Sequence, residues 1–290
     1  IYQSLLGKHQ SSMDYYQQAL ELYDPEEQVY KNYYHTGNIK ANIQTYSSTN
    51  MLLLGYPEEA LKNAEEGFEL VHLVKQPSSL YANAAFFSRL LLARGEYDQV
   101  DAIAQPALKL AGESGDTFLE ALLTYYINTA YAHLGNEVAA DIAYDVMSQL
   151  YKRYKAYRIA FLVFIADAYG KLGKVEKGMK VVAEGMNHYE QTGEGLFAPE
   201  LFRIQGDLLV LQGEKALVVE QQYQQALDLS RSQGDRWHEL IAAKCLSSLW
   251  AEQGKKTEAK TLLNNVYSTF TEGFDTINLK EAKVMLDAWT

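Results

Sequence analysis

Cysteine is almost absent. Cys245 stands alone in 290 residues, so no internal disulfide can form and a reducing, cytoplasmic setting is expected. Proline occurs at only five positions, which leaves room for long uninterrupted helices. Basic residues are outnumbered, 26 Lys and Arg against 37 Asp and Glu, and a net charge of −11 argues against a nucleic-acid partner. A mid-chain stretch free of Asp, Glu, Lys and Arg, Ala121–Asn136, is too short and too polar to span a bilayer, so no membrane partner is expected. The chain opens at Ile1 without a targeting peptide or an initiator Met, as a piece cut from a longer protein would. What the sequence does have is 48% hydrophobic content, enough for a sizeable core, and too little Gly and Pro for a low-complexity chain.

One kind of turn recurs along the chain: LLGK (Leu5–Lys8), LLGYPEEA (Leu53–Ala60), LARGEYDQV (Leu92–Val100), HLGNEVAA (His133–Ala140), KLGKVEKG (Lys171–Gly178), LQGEKA (Leu211–Ala216) and EQGKKTEA (Glu252–Ala259). Its glycines are Gly7, Gly55, Gly95, Gly135, Gly173, Gly213 and Gly254, spaced 48 residues at first and then 40, 40, 38, 40 and 41. Glycine is suited to the left-handed conformation that ends a helix. Five, nine and twelve residues beyond it come small or apolar residues, for example Ala60–Ala64–Gly67, Val100–Ala104–Ala107 and Ala259–Leu263–Val266. Those offsets share one helix face, with small side chains where helices approach closely. The pattern resembles the tetratricopeptide repeat, whose usual period is 34; a HEAT-type array would suit the longer period, but the glycine turn and alanine offsets favour the former. It predicts an all-α, right-handed α-solenoid over residues 1–290, one superhelical domain of about seven units of roughly 40 residues. The first unit is truncated, and a capping helix near Asn278–Trp289 closes the array. Loops between hairpins are expected at Asp24–Pro25, Gln76–Ser79, Gly115–Thr117, Thr192–Gly193 and Gly234–Asp235.

Chemistry is sparse. His9, His35, His72, His133, His188 and His238 lie in different units, with no metal-ligand spacing, and read as surface or packed imidazoles. Cys245, inside KCLSSLW, reads as a buried inert thiol. GKLGK at Gly170–Lys174 follows a helix rather than a strand and lacks phosphate-loop spacing, so it is a repeat turn. Glu26–Glu27 and Glu58–Glu59 sit at helix starts, where the helix dipole favours negative charge. Twenty-two tyrosines are mostly packing residues, with a cluster at Tyr30, Tyr33 and Tyr34. No cofactor, no metal and no catalytic group is expected.

Three stretches are more specific than a generic repeat: ALELYDP (Ala19–Pro25), LLLGYPEEAL (Leu52–Leu61) and YSTFTEGFDTINLKEAKVMLD (Tyr267–Asp287). They resemble the carboxy-terminal tetratricopeptide region of bacterial multi-domain signalling proteins. In those proteins a class III adenylate/guanylate cyclase domain or a winged-helix regulator precedes a STAND/AAA-type ATPase. The segment YYHTGNIKAN (Tyr33–Asn42) departs from the Gly-rich Asp-Pro-Gly sequence usual there. The resemblance implies a non-catalytic binding or scaffold module that engages a protein, a peptide, a small signal or domains of its own parent, and biases an attached ATPase, cyclase or transcription regulator. The alternative is a self-association arm, a homo-oligomer.

In tetratricopeptide arrays the first helix of each hairpin lines the concave face. Counting back ten, six and three residues from each turn glycine identifies inward positions, among them Thr45, Thr49, Arg89, Tyr125, Thr129, Asp167, Arg203, Asp207, Lys244 and Ser248. The middle position is polar in all six hairpins: Thr49, Arg89, Thr129, Asp167, Asp207 and Ser248. Such a stripe can hydrogen-bond an extended peptide or anionic signal, with Arg89, Arg203 and Lys244 as anion anchors. Equally, it can be a solvated face with local Arg203–Asp207 pairing.

Overall fold

The computed structural model describes residues 1–24, 38–74, 77–153 and 156–289. Asp24 is therefore visible without Pro25, and Glu26–Glu27, Tyr30, Tyr33, Tyr34, His35 and Gln76 lie outside the described residues. Among the described residues every regular element is a helix. A short α1 (Tyr2–Leu5) and α2 (His9–Glu21) flank Gly7, and α3 (Ile39–Leu53) and α4 (Pro57–Val74) flank Gly55. The next hairpins are α5 (Pro77–Arg94) with α6 (Tyr97–Ser114), and α7 (Thr117–His133) with α8 (Glu137–Arg153). Then follow α9 (Arg158–Lys171) with α10 (Val175–Thr192), α11 (Ala198–Leu211) with α12 (Ala216–Gln233), and α13 (Arg236–Glu252) with α14 (Lys256–Tyr267). The capping helix α15 spans Ile277–Ala288.

All seven turn glycines have positive φ, from 68° at Gly173 to 101° at Gly135. The reason is visible in the hydrogen bonds. At the end of α5, Gly95 N donates to Leu92 O at 3.1 Å and Glu96 N to Leu91 O at 2.9 Å. This crossed pair satisfies carbonyls that the helix end would otherwise leave open. The same pair recurs at Gly135–Asn136, Gly173–Lys174, Gly213–Glu214 and Gly254–Lys255. Gly115 and Gly234 end second helices in the same way, and the aspartate after each caps the next helix: Leu119 N donates to Asp116 Oδ1 at 3.1 Å, and His238 N to Asp235 Oδ1 at 3.0 Å.

The small-residue stripe is where the second helices are buried. Ala60, Ala64, Val100, Ala104, Ala107, Ala259 and Leu263 are at most 1% exposed. Glycine is required at some of these contacts: a Cβ on Gly67 would lie 2.9 Å from Ala41 O, and one on Gly185 only 2.4 Å from Leu201 Cδ2. Two offset residues depart from the rule, since Ala19 is exposed and Tyr144 half-buried.

The chain divides into two compact units. The first comprises Ile1, residues 10–52 and residues 58–155. The second holds residues 156–290 and takes in two short segments from far upstream, Tyr2–His9 and Leu53–Pro57. Within this second unit, Pro57 lies against Gly273, where a Cβ would have no room, and Gly55 lies against Arg236 and Phe270. Leu5 O accepts hydrogen bonds from Gly195 N at 2.7 Å and Leu196 N at 3.2 Å. The first turn is thus tied down at Leu5, while Tyr15, further along α2, is 61% exposed.

Replacing Ala104 with leucine should lower stability by about 1–3 kcal/mol, because the added atoms have no space at the α5–α6 contact. Gln105→Ala, on the exposed side of the same helix, should change it by less than about 0.5 kcal/mol. Chemical denaturation of the two variants checks both values.

Candidate functional site

In the first unit, the predicted inward residues are knitted together. Thr45, Thr49, Tyr125 and Thr129 are fully buried, and Arg89 is only 3% exposed. Thr45 Oγ1 donates to Asn83 Oδ1 at 2.5 Å, and Asn83 Nδ2 donates to Asn42 Oδ1 at 2.8 Å. One helical turn further on, Arg89 donates through Nε and Nη2 to Thr49 Oγ1 at 3.4 and 3.3 Å. These are polar rungs between α3 and α5, the first helices of successive hairpins. The Arg89 guanidinium also lies 4.6 Å from the Phe86 ring centroid, and Phe86 meets Tyr46 edge-on at 4.0 Å. Phe86 and Tyr46 are half-buried and form the open part of this stretch. In α7, Thr129 donates to its own helix at Tyr125 O. Burial raises the Tyr125 pKa well above its ordinary value, so that phenol is a core group.

In the second unit the stripe carries charge. Arg203, 7% exposed, donates through Nε to both Glu200 oxygens at 3.0 and 2.8 Å. Its Nη2 reaches Asp167 Oδ1 at 2.8 Å, and Nη1 bonds Asp207. The local pairing is thus present and larger than expected: three carboxylates surround one guanidinium, and Lys171 adds a second cation to Asp167 at 3.0 Å. Desolvation works against the Arg203 charge, but Glu200, Asp167 and Asp207 outweigh it and hold the pKa far up. Asp207 also accepts from Tyr223 OH at 2.7 Å. Its pKa is raised by burial, offset in part by Arg203, and with 37% of its side chain open solvent screens the pairing. Lys244 donates to Asn278 Oδ1 at 2.8 Å and Glu281 Oε2 at 2.5 Å, a further rung from α13 to α15. Asp167, Asp207 and Ser248 are the stripe residues left half-open.

Three buried imidazoles were not legible as site residues. His238 Nδ1 lies 2.6 Å from Asp235 Oδ2, and His9 Nε2 lies 3.9 Å from the same oxygen. His188 Nε2 lies 2.9 Å from Glu194 Oε2, while Glu194 Oε1 accepts from Ile159 N at 3.0 Å. Glu194 thereby caps α9 from the loop that follows its own hairpin partner α10, and α9 itself begins at Tyr157 with φ of 62° and no side-chain cap of its own. The only sequence signal was the acid directly after an inter-hairpin glycine, in Gly193–Glu194 and Gly234–Asp235. Burial pushes the His238 pKa down, but Asp235 more than compensates, leaving it above 6.5. Burial raises the Glu194 pKa, countered in part by His188 and the Ile159 amide.

The remaining described histidines pack on aromatic rings. His133 stacks flat on Tyr97, with centroids 4.2 Å apart, and His72 meets Phe68 edge-on. Cys245 is half-buried rather than buried as expected; desolvation, with Asp207 adding to it, still raises its pKa and keeps the thiol protonated at neutral pH. Among the described residues, no group of three or more His, Cys, Asp and Glu is arranged to hold a metal ion, and no helix is long and apolar enough to cross a membrane. Arg203→Ala should cost roughly 2–3 kcal/mol, because it leaves three part-buried carboxylates without their shared cation, and denaturant unfolding measures this. The His238–Asp235 pair should stabilise the fold fully below about pH 6.5 and lose that contribution as pH rises through the higher folded-state value. The melting temperature should accordingly fall as pH rises through that value, and fall less steeply in His238→Gln.

No known family profile matches the chain, and no curated protein matches it in sequence. Solved structures do match. NprR in complex with its cognate peptide NprX superposes with a TM-score of 0.60 at 18% identity, covering 96% of this chain and 83% of that one. A Rap protein complexed with competence and sporulation factor gives 0.67 at 14% identity, covering 99% and 84%. At such identities the likeness is one of fold, and it places this chain among the α-solenoids built from tetratricopeptide-like helical hairpins.

Proposed function

We propose that the chain is a non-catalytic module that binds an extended peptide, or a peptide-like segment of a protein, along the first-helix stripe of its hairpins. The observation that carries this reading is the match, over nearly the whole chain, to two solenoids solved as complexes, one of them with a peptide named as its cognate. The stripe is chemically suited to such a ligand. Its polar rungs fix the helices, and half-open aromatic and polar side chains remain beside them: Tyr46 and Phe86 in the first unit, Asp167, Asp207 and Ser248 in the second. A rigid wall with protruding polar groups binds an extended chain at low entropic cost. Arg203 and Lys244 serve as struts in this reading rather than as anion anchors, since carboxylates already hold both. Regulation of an attached ATPase, cyclase or transcription regulator extends the proposal and rests on the TEGFDT-x-x-LKEAK resemblance.

Self-association is the second reading, and a particular surface favours it. Phe274, Ile277 and Val284, on and just before α15, are 46%, 52% and 68% exposed. Sedimentation showing a concentration-independent monomer would count against it.

Tyr46→Ala and Ser248→Trp should each weaken capture of ligands from a synthetic pool of short peptides by roughly tenfold, a change of about 1.4 kcal/mol. Native mass spectrometry of the chain with the pool is the measurement. A chain that retains no peptide, or variants that retain the same ones equally well, would overturn the peptide reading.

A further inference from the structure

The second unit contains a polar contact with no counterpart among the described residues of the other hairpins. The turn after α1 sits on the loop between α10 and α11, about 190 residues away in sequence. One carbonyl, Leu5 O, accepts from two successive amides, Gly195 N at 2.7 Å and Leu196 N at 3.2 Å. Gln233 Nε2 donates to Gly195 O at 3.2 Å and closes over the same spot. The approach is tight: a Cβ on Gly195 would lie 2.8 Å from Leu6 O and 2.9 Å from Gln233 Nε2. The segment buries Ser4, Gly7 and His9, with Leu5 and Leu6 half-buried, while Ile1 and Tyr2 are 55% and 69% exposed. A four-residue helix does not persist alone, and with no large apolar side chain of the segment fully buried its hold on the loop is limited.

The residue after Leu196 is strained. Phe197 has φ of 62° and ψ of 8°, a left-handed backbone that a bulky L-residue rarely adopts. Its ring is 1% exposed, tilted against Phe164 and His238 with centroids 5.3 Å from each. Phe197 O accepts from Glu200 N at 3.0 Å in the opening turn of α11, and Glu200 holds Arg203 with both carboxylate oxygens. Hydrogen bonds and one strained residue therefore join Leu5 to the Arg203–Asp167–Asp207 cluster without a break.

We infer that the Tyr2–His9 turn is a conformational switch. Docked on Gly195 and Leu196, it holds Phe197 in its left-handed backbone and so fixes the start of α11 and the Arg203 cluster. Released, it lets Phe197 relax, and the cluster loosens. A strained residue next to a detachable contact supplies the two-state element that such coupling requires. The inference stands without any ligand.

Hydrogen exchange on the full 290-residue chain tests it, read at residues 2–9, at 194–203 and at α7 of the first unit as reference, because His9 and Phe197 both touch the start of α13. Gly195→Ala wedges the loop side of the contact. Gly7→Val acts from the turn side, where φ is 71° and a Cβ would meet Gln233 at 2.6 Å. Both variants are expected to speed exchange about tenfold at 2–9 and at 194–203 together, with α7 as in the unaltered chain. If Gly195→Ala disturbs α7 as well, Gly7→Val decides. Fast exchange at 2–9 with 194–203 unchanged in Gly7→Val would show the contact to be passive. Rapid exchange at Gly195 and Leu196 in the unaltered chain would show that the turn is not docked. Either result overturns the inference.

Discussion

A helix can stop only if something takes the place of its missing hydrogen bonds, and in this protein that need is met in one way again and again. A left-handed glycine lets the following amide fold back onto a carbonyl five residues earlier, as Glu96 does on Leu91 and Lys174 on Tyr169. The reversal brings the next helix back alongside the first at a fixed place, and small residues then decide how closely the two can lie. Ala60, Ala104 and Ala259 are fully buried because five to nine residues past the glycine is where the returning helix meets its partner. Were the turn looser, the alanine stripe would face the wrong way.

Between hairpins, polarity does what small residues do within them. Thr45 with Asn83, Thr49 with Arg89, Asp167 with Arg203, and Lys244 with Asn278 each join first helices of successive hairpins or the cap. Their separations of 38, 40, 36 and 34 residues follow the repeat, so each rung is the period expressed as a hydrogen bond. The rungs also show which charged groups are already paired. Arg203 and Lys244 are held by carboxylates, and the side chains left half-open in the second unit are acidic or neutral. A buried guanidinium amid three acids is costly to break and gives that part of the wall a defined shape.

The buried histidines extend the same logic to the joints. Asp235 caps α13 through one oxygen and holds His238 through the other, and Glu194 divides its two oxygens between the Ile159 amide and His188. Each carboxylate thus couples a helix start to an imidazole. Phe197 and Tyr157, left-handed without glycine, stand at the starts of α11 and α9, neither of which carries a side-chain cap at that position.

The hairpins were legible in the sequence because their rules are local. A glycine at φ above zero, an alanine five residues on and an apolar residue four beyond that act within a turn or two of helix, so reading the chain in order finds them. The all-helical class, the turn at each of the seven glycines and the capping helix near Ile277 follow from such short-range constraints. The inward positions were legible as places on a helix, but not as open or closed, because Thr49 is buried only once Arg89, forty residues later, lies across it. The same holds for Arg203, whose position was predicted and whose three partners were not all foreseen. Asp207 is on its own helix, whereas Asp167 comes from the hairpin before. Furthest from any sequence signal is the bond from Gly195 to Leu5. No periodicity relates those residues, and only the path of the folded backbone brings them together. The sequence by itself determined the hairpin, its period and the faces its helices bury, since these depend on neighbours within a few residues. The tertiary structure alone decided which polar groups meet, because a hydrogen bond between distant segments exists only when packing has brought donor and acceptor to about 3 Å.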